Sequence, residues 1–137
     1  MGTDTAAGWA ARATVLANWA LKHLINRDDA WGRYIPKPAC IKDSITRDLL
    51  VQHFKGETTI GLYTTSIDQT CRWCVWDFDN HDDDPDTAKS NHNRAIALAD
   101  QLTKRGMFPL IESSDGRGSF HLWIVFDHPV PVDALYR

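Results

Sequence analysis

The sequence lacks a long apolar run. No stretch approaches the roughly 20 consecutive apolar residues that a membrane-spanning helix needs. The N-terminal segment also lacks the basic start, apolar stretch and cleavage site of a secretory signal peptide. These absences exclude the usual signatures of membrane insertion and secretion. We therefore expect a cytoplasmic protein with no membrane partner.

Cysteine is scarce, with only Cys40, Cys71 and Cys74. An odd number of cysteines without a signal peptide argues against a disulfide framework. Cys71 and Cys74 form a CxxC pair, but no second pair accompanies them, and positions three apart in a strand face opposite sides. This spacing favours free structural thiols. A metal or redox role for the pair remains the alternative.

An excess of basic charge is also missing, since the formal net charge is −3. A net negative charge is unusual for a protein that binds the phosphate backbone of nucleic acids. However, six of the eighteen acidic residues lie within the short segment 77–86. Divalent cations bound there would offset part of this charge. The overall charge therefore neither supports nor excludes a nucleic-acid partner.

The 137 residues are enough for one domain with a sizeable core, and 43% hydrophobic with 24% charged residues is typical of a soluble globular protein. Apolar residues at three- and four-residue steps predict a helix over residues 6–25. A second helix is predicted from the N-cap Thr46 to Lys55, with Gly56 as its stop. The segment Trp31–Pro36 is interpreted as a connection.

From residue 57 onward the pattern changes to strands. The segments 58–64 and 71–79 predict a β-hairpin, and 80–85 predicts an acidic loop. A helix capped by Asp86–Thr87 is expected to run through Lys104 with Ile96, Ala99 and Leu102 on one face, and Gly106 ends it. A second strand pair is predicted over 108–113 and 119–127, joined by the turn 114–118.

The final residues and the fold class complete this prediction. Residues 129–131 are expected to break the strand pattern, and 132–137 to begin another helix. The predicted fold class is α+β, with N-terminal helices, a mainly antiparallel sheet and a covering helix. The predicted organisation is a single domain over 1–137, with a helical region at 1–56 and a hairpin, helix and hairpin at 57–137 that carry the site.

Two aspartates at the end of a strand form the first candidate site. Asp77 and Asp79 point to the same face of the strand, roughly 6–7 Å apart at the backbone, whereas Trp76 and Phe78 point toward a core. Paired carboxylates repel each other unless a positive charge lies between them, and such oxygen ligands suit Mg²⁺ or Mn²⁺. The alternative is a strand that ends in a solvated acidic loop. If the pair binds a metal, His81 beside it could support a metal ligand or be an occasional ligand itself.

A glycine-rich turn that enters a strand forms the second candidate site. Gly116 and Gly118 allow the backbone to approach a ligand closely, and Arg117 adds a positive charge. Ser119 and His121 lie two positions apart and share a face of the strand, and His121 can donate a hydrogen bond to a phosphate. A lone strand histidine is more often structural, but the turn and the upstream aspartates favour a functional role.

These two segments resemble a known family. The segment 71–81, CRWCVWDFDNH, resembles the metal-binding DxD motif of the archaeo-eukaryotic primase superfamily, and 112–126, ESSDGRGSFHLWIVF, resembles its Ser-x-His motif. The resemblance extends in particular to the primase-polymerase subgroup, which includes the primase domain of TOTE conflict systems. Segments 26–32, 61–63 and 127–131 are also similar, so that the resemblance covers roughly residues 19–137.

The resemblance implies an RRM-like catalytic core that transfers (d)NMP from (d)NTP to a 3′-hydroxyl on a DNA template with two divalent ions, Mg²⁺ or Mn²⁺. It implies that Asp77 and Asp79 bind metal and that Ser119 and His121 contact the nucleotide triphosphate, with Arg117, Gly116 and Gly118 nearby. Asp77, Asp79 and His121 are the implied catalytic residues. The implied partners are the (d)NTP, a single-stranded DNA template or primer, and further helicase or nuclease domains of the parent protein.

The sequence departs from the family in one respect. The family has a third acidic motif on a later strand, and neither Glu112 nor Asp127 occupies its position. The chain is therefore expected to be the N-terminal portion of a larger catalytic domain, with weak metal binding and poor polymerisation on its own. The alternatives are a metal-dependent nuclease and a non-catalytic nucleotide- or nucleic-acid-binding module.

Overall fold

A computed structural model describes residues 5–114 and 116–135. The chain divides into two compact units, one comprising the residues up to Arg72 together with those from Asp127 onward, and the other comprising Trp73–Phe126. The described residues form helices and two three-stranded sheets. The predicted α+β fold class is therefore confirmed. The elements are α1 (Thr5–Ala11), α2 (Ala13–His23), β1 (Trp31–Arg33), β2 (Ala39–Ile41), α3 (Arg47–Phe54), β3 (Ile60–Gly61), β4 (Thr70–Phe78), α4 (Pro85–Lys104), β5 (Leu110–Ser113), β6 (Phe120–Pro131) and a 3₁₀ turn (Val132–Ala134).

The N-terminal helical segment is broken, whereas a single helix was predicted over residues 6–25. Arg12 separates α1 from α2, with φ −107° and ψ 7°, outside the helical region. The apolar spacing continues through the break, which is why periodicity alone did not reveal it. In α2 the small side chains of Ala17 and Ala20 are fully buried and pack with Leu50 of α3 in the core of the first unit.

The helix α3 begins and ends where the sequence predicts. Thr46 is its N-cap, and its side chain accepts a hydrogen bond from the Leu49 N–H at 3.1 Å. Lys55 closes the helix, and Gly56 follows with φ +77°, a left-handed conformation that glycine adopts without steric cost. The predicted N-cap and glycine stop are therefore confirmed.

The predicted hairpin between residues 58–64 and 71–79 is wrong. β3 pairs with β1, as Gly61 with Gly32, in an antiparallel sheet of order β2-β1-β3. The Asn26 side-chain NH₂ donates hydrogen bonds to the carbonyls of Tyr63 and Thr64 at 3.1 and 2.9 Å, and its side-chain oxygen accepts a hydrogen bond from the Arg72 N–H at 2.8 Å. These groups would otherwise be available for a β3–β4 ladder. The predicted connection at Trp31–Pro36 is likewise corrected, since β1 forms at its start.

The second unit is a sheet of order β4-β6-β5 covered by α4, which contains the predicted covering helix and strand pair. β5 and β6 are antiparallel, with Glu112 opposite His121 and Ile111 opposite Leu122. Phe78 and Leu122 are buried against Ala95 of α4 in one apolar core. The sheet therefore buries one face under the helix. The side chains that alternate with this core lie on its other face.

Two residues predicted to be buried in this unit are exposed. Trp76 is 39% exposed although it was expected to enter a core beside Phe78, and Ile96 is 48% exposed although it was expected on the buried face of the helix. Ala95 is fully buried instead of Ile96. Both residues are apolar, but the direction in which each side chain points depends on tertiary packing, which the local sequence pattern does not encode.

The N-cap of α4 is Asp84, two residues before the predicted Asp86–Thr87 cap, because Pro85 supplies the first helical position. The Asp84 carboxylate accepts from the Thr87 N–H at 2.8 Å and from the Thr87 hydroxyl at 2.6 Å. The hydroxyl bond, followed by the backbone bond, holds the pKa of Asp84 below its usual value. Gly106, with φ +82°, follows the predicted C-terminal end at Lys104.

The end of β6 also differs from the prediction. The strand continues through Pro129 and Pro131, where a break was expected. The proline-containing end is held by the first unit's own contacts: the Cys71 thiol donates to the Val130 carbonyl at 3.7 Å, and the Val132 N–H donates to the Gln69 carbonyl at 3.0 Å. The helix expected over 132–137 is a short 3₁₀ turn, and its last two residues lie outside the described part of the chain.

Candidate functional site

A polar face of the second sheet carries the candidate site. Leu122 and Ile124 of β6 face the core under α4, so that His121 and Trp123 between them face the opposite side. Glu112 lies beside His121 on the neighbouring strand β5. The alternation of β6 therefore separates a buried apolar face from a face that carries ionisable side chains.

His121 lies between two carboxylates on this face. Its Nδ1 is 3.1 Å from the Glu112 Oε2, and its Nε2 is 3.5 Å from the Asp77 Oδ1. The imidazole is 28% exposed, whereas the carboxylate side chain of Asp77 is 54% exposed. The structure thus brings together Asp77 and His121, which lie in different motifs of the sequence, and leaves Asp77 open to a ligand.

Asp79 is placed at the end of the same strand but has a different neighbour. Its Oδ2 is 3.4 Å from the Nε2 of His81, and both side chains are exposed to solvent. The structure therefore pairs Asp77 with His121 and Asp79 with His81. The role of His81 as a support for a metal ligand stays a prediction.

Ser119 is buried beneath the site, with 6% of its surface exposed. Its Oγ accepts a hydrogen bond from the Asn80 N–H at 3.0 Å, which ties the start of β6 to the loop after β4. This bond gives Ser119 a structural task. Its contact with a triphosphate stays a prediction.

The glycine-rich turn before β6 packs closely on the first turn of α4. Gly118 has φ +100°, and a β-carbon there would lie 2.7 Å from the Ala88 Cα. Gly116 has φ +73° with open space around it, and residue 115 lies outside the described residues. Arg117 extends to Asp83 of the acidic loop, with its Nη1 3.1 Å from the carboxylate. The predicted turn therefore exists, and it holds Arg117 against the acidic loop.

Two buried asparagines that the sequence analysis did not single out hold these segments together. The Asn91 amide, on α4, donates to the carbonyls of Phe78, Asp79 and Gly118 at 2.9–3.2 Å. Because Asn91 lies one helical turn before Ala95, an amide on the apolar stripe of α4 was the signal that could have identified it. It links the end of the DxD strand to the turn that precedes His121.

Asn80 performs the complementary task for the acidic loop. Its amide donates to the carbonyls of Arg117 and Asp84 at 2.9 and 3.1 Å, and its oxygen accepts from the Asp84 N–H at 3.1 Å. Because buried polar groups need partners, this satisfied network fixes the loop in one conformation. The position of Asn80 directly after the DxD pair was the signal in the sequence that could have identified it.

The aspartate pair has the chemistry of a divalent-cation site. Asp77 and Asp79 supply hard oxygen donors on an accessible face, which suits Mg²⁺ or Mn²⁺. Within residues 5–114 and 116–135, no group of three or more His, Cys, Asp or Glu side chains is arranged to hold a metal. Mg²⁺ is often bound through one or two carboxylates together with substrate phosphates. The donors present fit that mode, in which the nucleotide completes the coordination.

The two cysteines of the CxxC pair lie in different surroundings. None of the three cysteines, all of which the structure describes, forms a disulfide, and Cys71 is buried, which raises the pKa of its thiol. Cys74 packs against the apolar core under α4. Each of the two cysteines therefore has a packing environment of its own.

Comparison with known proteins identifies the family of this chain. No helix in the described part of the chain has the length and hydropathy required to cross a membrane. No curated protein matches the chain. The family model described as the archaeo-eukaryotic primase domain of the TOTE conflict system matches residues 36–136, which is more than half of the chain and includes both motifs. The chain therefore belongs to the family of archaeo-eukaryotic primase domains found in TOTE conflict systems.

Proposed function

We propose that this chain carries the metal- and nucleotide-binding half of a primase-polymerase site, which transfers (d)NMP from (d)NTP to a 3′-hydroxyl on a DNA template. Membership of the primase family supports a nucleotidyltransferase at the family level. The contact between Asp77 and His121 on the open face of the second sheet carries the proposal. It joins the DxD strand to the Ser-x-His strand at one place.

The aspartates provide the cation site in this proposal. Asp77 and Asp79 hold Mg²⁺ or Mn²⁺, which when bound neutralises phosphate charge and lowers the pKa of the attacking hydroxyl. Because no third metal-binding side chain among the described residues joins the two aspartates, the nucleotide phosphates supply further oxygen ligands. Affinity for the metal alone is therefore weak, and metal and nucleotide bind cooperatively.

His121 and the glycine-rich turn bind the triphosphate. The Nε2 of His121 faces Asp77, and the imidazolium form of the ring, which has an N–H on both nitrogens, donates a hydrogen bond from Nε2 to a phosphate oxygen. Gly116 and Gly118 allow backbone N–H groups to approach the phosphates. Arg117 exchanges its exposed contact with Asp83 for a phosphate oxygen, a charge-assisted bond. Catalysis then depends on positioning and charge stabilisation.

Primer synthesis in the complete protein tests the proposal. The wild-type protein, with a single-stranded template, nucleotides and Mn²⁺, is expected to give primers, and Asp77→Ala/Asp79→Ala is expected to give none. Asp82→Ala is the matched control, because Asp82 is an exposed aspartate of the same acidic loop, and it is expected to retain activity. Undiminished synthesis by the double variant would refute the aspartate site. Cleavage of labelled DNA without nucleotide would indicate a nuclease instead.

A non-catalytic nucleotide-binding module is the second candidate, because the described residues contain no three-ligand metal group. Such a module would bind a nonhydrolysable dNTP with Mn²⁺ and would give no primer under any condition. Nucleotide binding without synthesis by the complete protein would favour it over the polymerase.

A further inference from the structure

Glu112 is the first residue of the segment that resembles the Ser-x-His motif, and its carboxylate is closer to His121 than the carboxylate of Asp77 is. The two residues lie opposite each other across β5 and β6. A single oxygen, Oε2, is 3.1 Å from the His121 Nδ1 and accepts a hydrogen bond from the Trp123 Nε1 at 2.8 Å. Glu112 therefore contacts the nitrogen of His121 that faces away from Asp77.

The chemistry of the two partners assigns the proton. The indole N–H only donates, and an ionised carboxylate only accepts. The Nδ1 of His121 must therefore carry a hydrogen to bond with Glu112. A carboxylate on one nitrogen of a histidine commonly fixes both the ring orientation and the protonated nitrogen, which determines what the other nitrogen presents.

Trp123 keeps the carboxylate in place. Its indole N–H anchors the same Oε2, its ring meets the His121 ring edge-on at 6.2 Å, and it packs against Trp73 with 5.0 Å between ring centroids. The anchored Oε2 is consequently held at a fixed position beside Nδ1. The imidazole has little freedom to rotate while both bonds are present.

We infer that Glu112 is a positioning residue, which holds the His121 ring through Nδ1 with Nε2 directed to Asp77 and to the phosphates of a bound nucleotide. The importance of this orientation for nucleotide binding rests on the proposed function. The orientation itself is a property of the protein without ligand. The two parts can therefore be measured separately.

Substitutions at two neighbouring positions of β5, Glu112 and Ser113, provide matched variants. Glu112→Gln keeps an oxygen that can accept from both Nδ1 and the indole, whereas Glu112→Ala removes the acceptor. Ser113→Ala is the control, since Ser113 is the exposed neighbour on the same strand. Because the Glu112 side chain is half exposed, its bond with His121 contributes little to stability, and all three variants are expected to fold.

The first measurement is the pattern of nitrogen–proton couplings of the His121 ring in ¹⁵N-labelled protein, without metal or nucleotide. The signal is assigned by its loss in His121→Phe. Nδ1 is expected to be protonated in the wild type, Glu112→Gln and Ser113→Ala, whereas Glu112→Ala is expected to lose this preference. An unprotonated Nδ1 in the wild type, or the same pattern in Glu112→Ala, would overturn the inference.

The second measurement is the affinity for a nonhydrolysable dNTP in the presence of Mn²⁺. Glu112→Ala is expected to weaken binding by about tenfold, as for other residues that orient a ligand-binding histidine, with Glu112→Gln close to the wild type. Equal affinity of Glu112→Ala and the wild type would refute the role in nucleotide binding. If the wild type binds no nucleotide, the proposed function fails, and the ring measurement still decides the inference about Glu112.

Discussion

Gly118 gives a quantitative test of how the turn before His121 is built. Replacing it with alanine places a β-carbon 2.7 Å from the Ala88 Cα and closer still to the Ala88 Cβ, at the first turn of α4. Gly116→Ala is the matched control, because its positive φ imposes the same kind of backbone strain with open space around it. The two variants therefore separate backbone strain from steric overlap.

The expected magnitudes follow from these two contributions. A left-handed conformation costs a non-glycine residue about 1–2 kcal/mol, and the lower entropy of the unfolded alanine chain offsets part of it. Gly116→Ala should therefore lower the free energy of unfolding by about 1 kcal/mol. Overpacking adds about 1–3 kcal/mol, so that Gly118→Ala should lower it by about 3 kcal/mol.

Urea denaturation followed by tryptophan fluorescence measures both values. A double variant, Ala88→Gly/Gly118→Ala, removes the Ala88 Cβ but leaves its Cα in place. It should therefore recover part of the overlap cost, after correction for Ala88→Gly alone, in a double-mutant cycle. Equal destabilisation by Gly116→Ala and Gly118→Ala, or no coupling between positions 88 and 118, would refute the close packing of this turn on α4.

Two further predictions concern ionisable groups. Hydrogen bonds from Thr87 hold the pKa of Asp84 in the folded protein below its unfolded value, and they therefore stabilise the fold. This stabilisation is present above about pH 4 and is lost as the pH falls through the lowered pKa. Asp84→Asn, which keeps a capping oxygen, should lose less unfolding free energy than the wild type between pH 5 and pH 3 in urea titrations, and an equal loss would contradict the capping bond. Cys40 is exposed and Cys71 is buried with a raised pKa, so that a thiol reagent should label Cys40 fast and Cys71 slowly. Cys40→Ser/Cys74→Ser leaves Cys71 as the one remaining thiol, and fast labelling of this variant would contradict the burial of Cys71.

Local chemistry explains which parts of the fold the sequence predicts well. Thr46 and Gly56 bound α3 because a capping side chain and a left-handed glycine act within a few residues. The antiparallel pairing of β5 with β6 follows from a short turn between two strand patterns. These signals do not depend on distant parts of the chain.

Non-local interactions explain the errors. The hairpin of 58–64 with 71–79 was plausible from adjacency, but β1 and the Asn26 side chain, both far away in sequence, occupy the relevant backbone groups. The exposure of Trp76 and Ile96 likewise reflects packing that an apolar residue type does not determine. Pairing choice and side-chain direction are tertiary properties.

Strand parity predicted only part of the arrangement of the candidate residues. Strand parity placed Asp77 with Asp79 and Ser119 with His121, and the structure brings Asp77 to His121. Strand parity did not reveal that Ser119 is buried or that Glu112 contacts the Nδ1 side of His121. Those features depend on the register of β5 and β6.

Calorimetric titration of this chain with a nonhydrolysable dNTP, with and without Mn²⁺, tests the central claim most directly. We expect Mn²⁺-dependent nucleotide binding that is abolished in Asp77→Asn/Asp79→Asn, weakened by about tenfold in His121→Ala through loss of one hydrogen bond to a charged group, and unchanged in Asp82→Ala. No heat with the wild type would contradict the claim that these residues enclose a cation–triphosphate complex. The same heat with His121→Ala and with Asp77→Asn/Asp79→Asn as with the wild type would also contradict it.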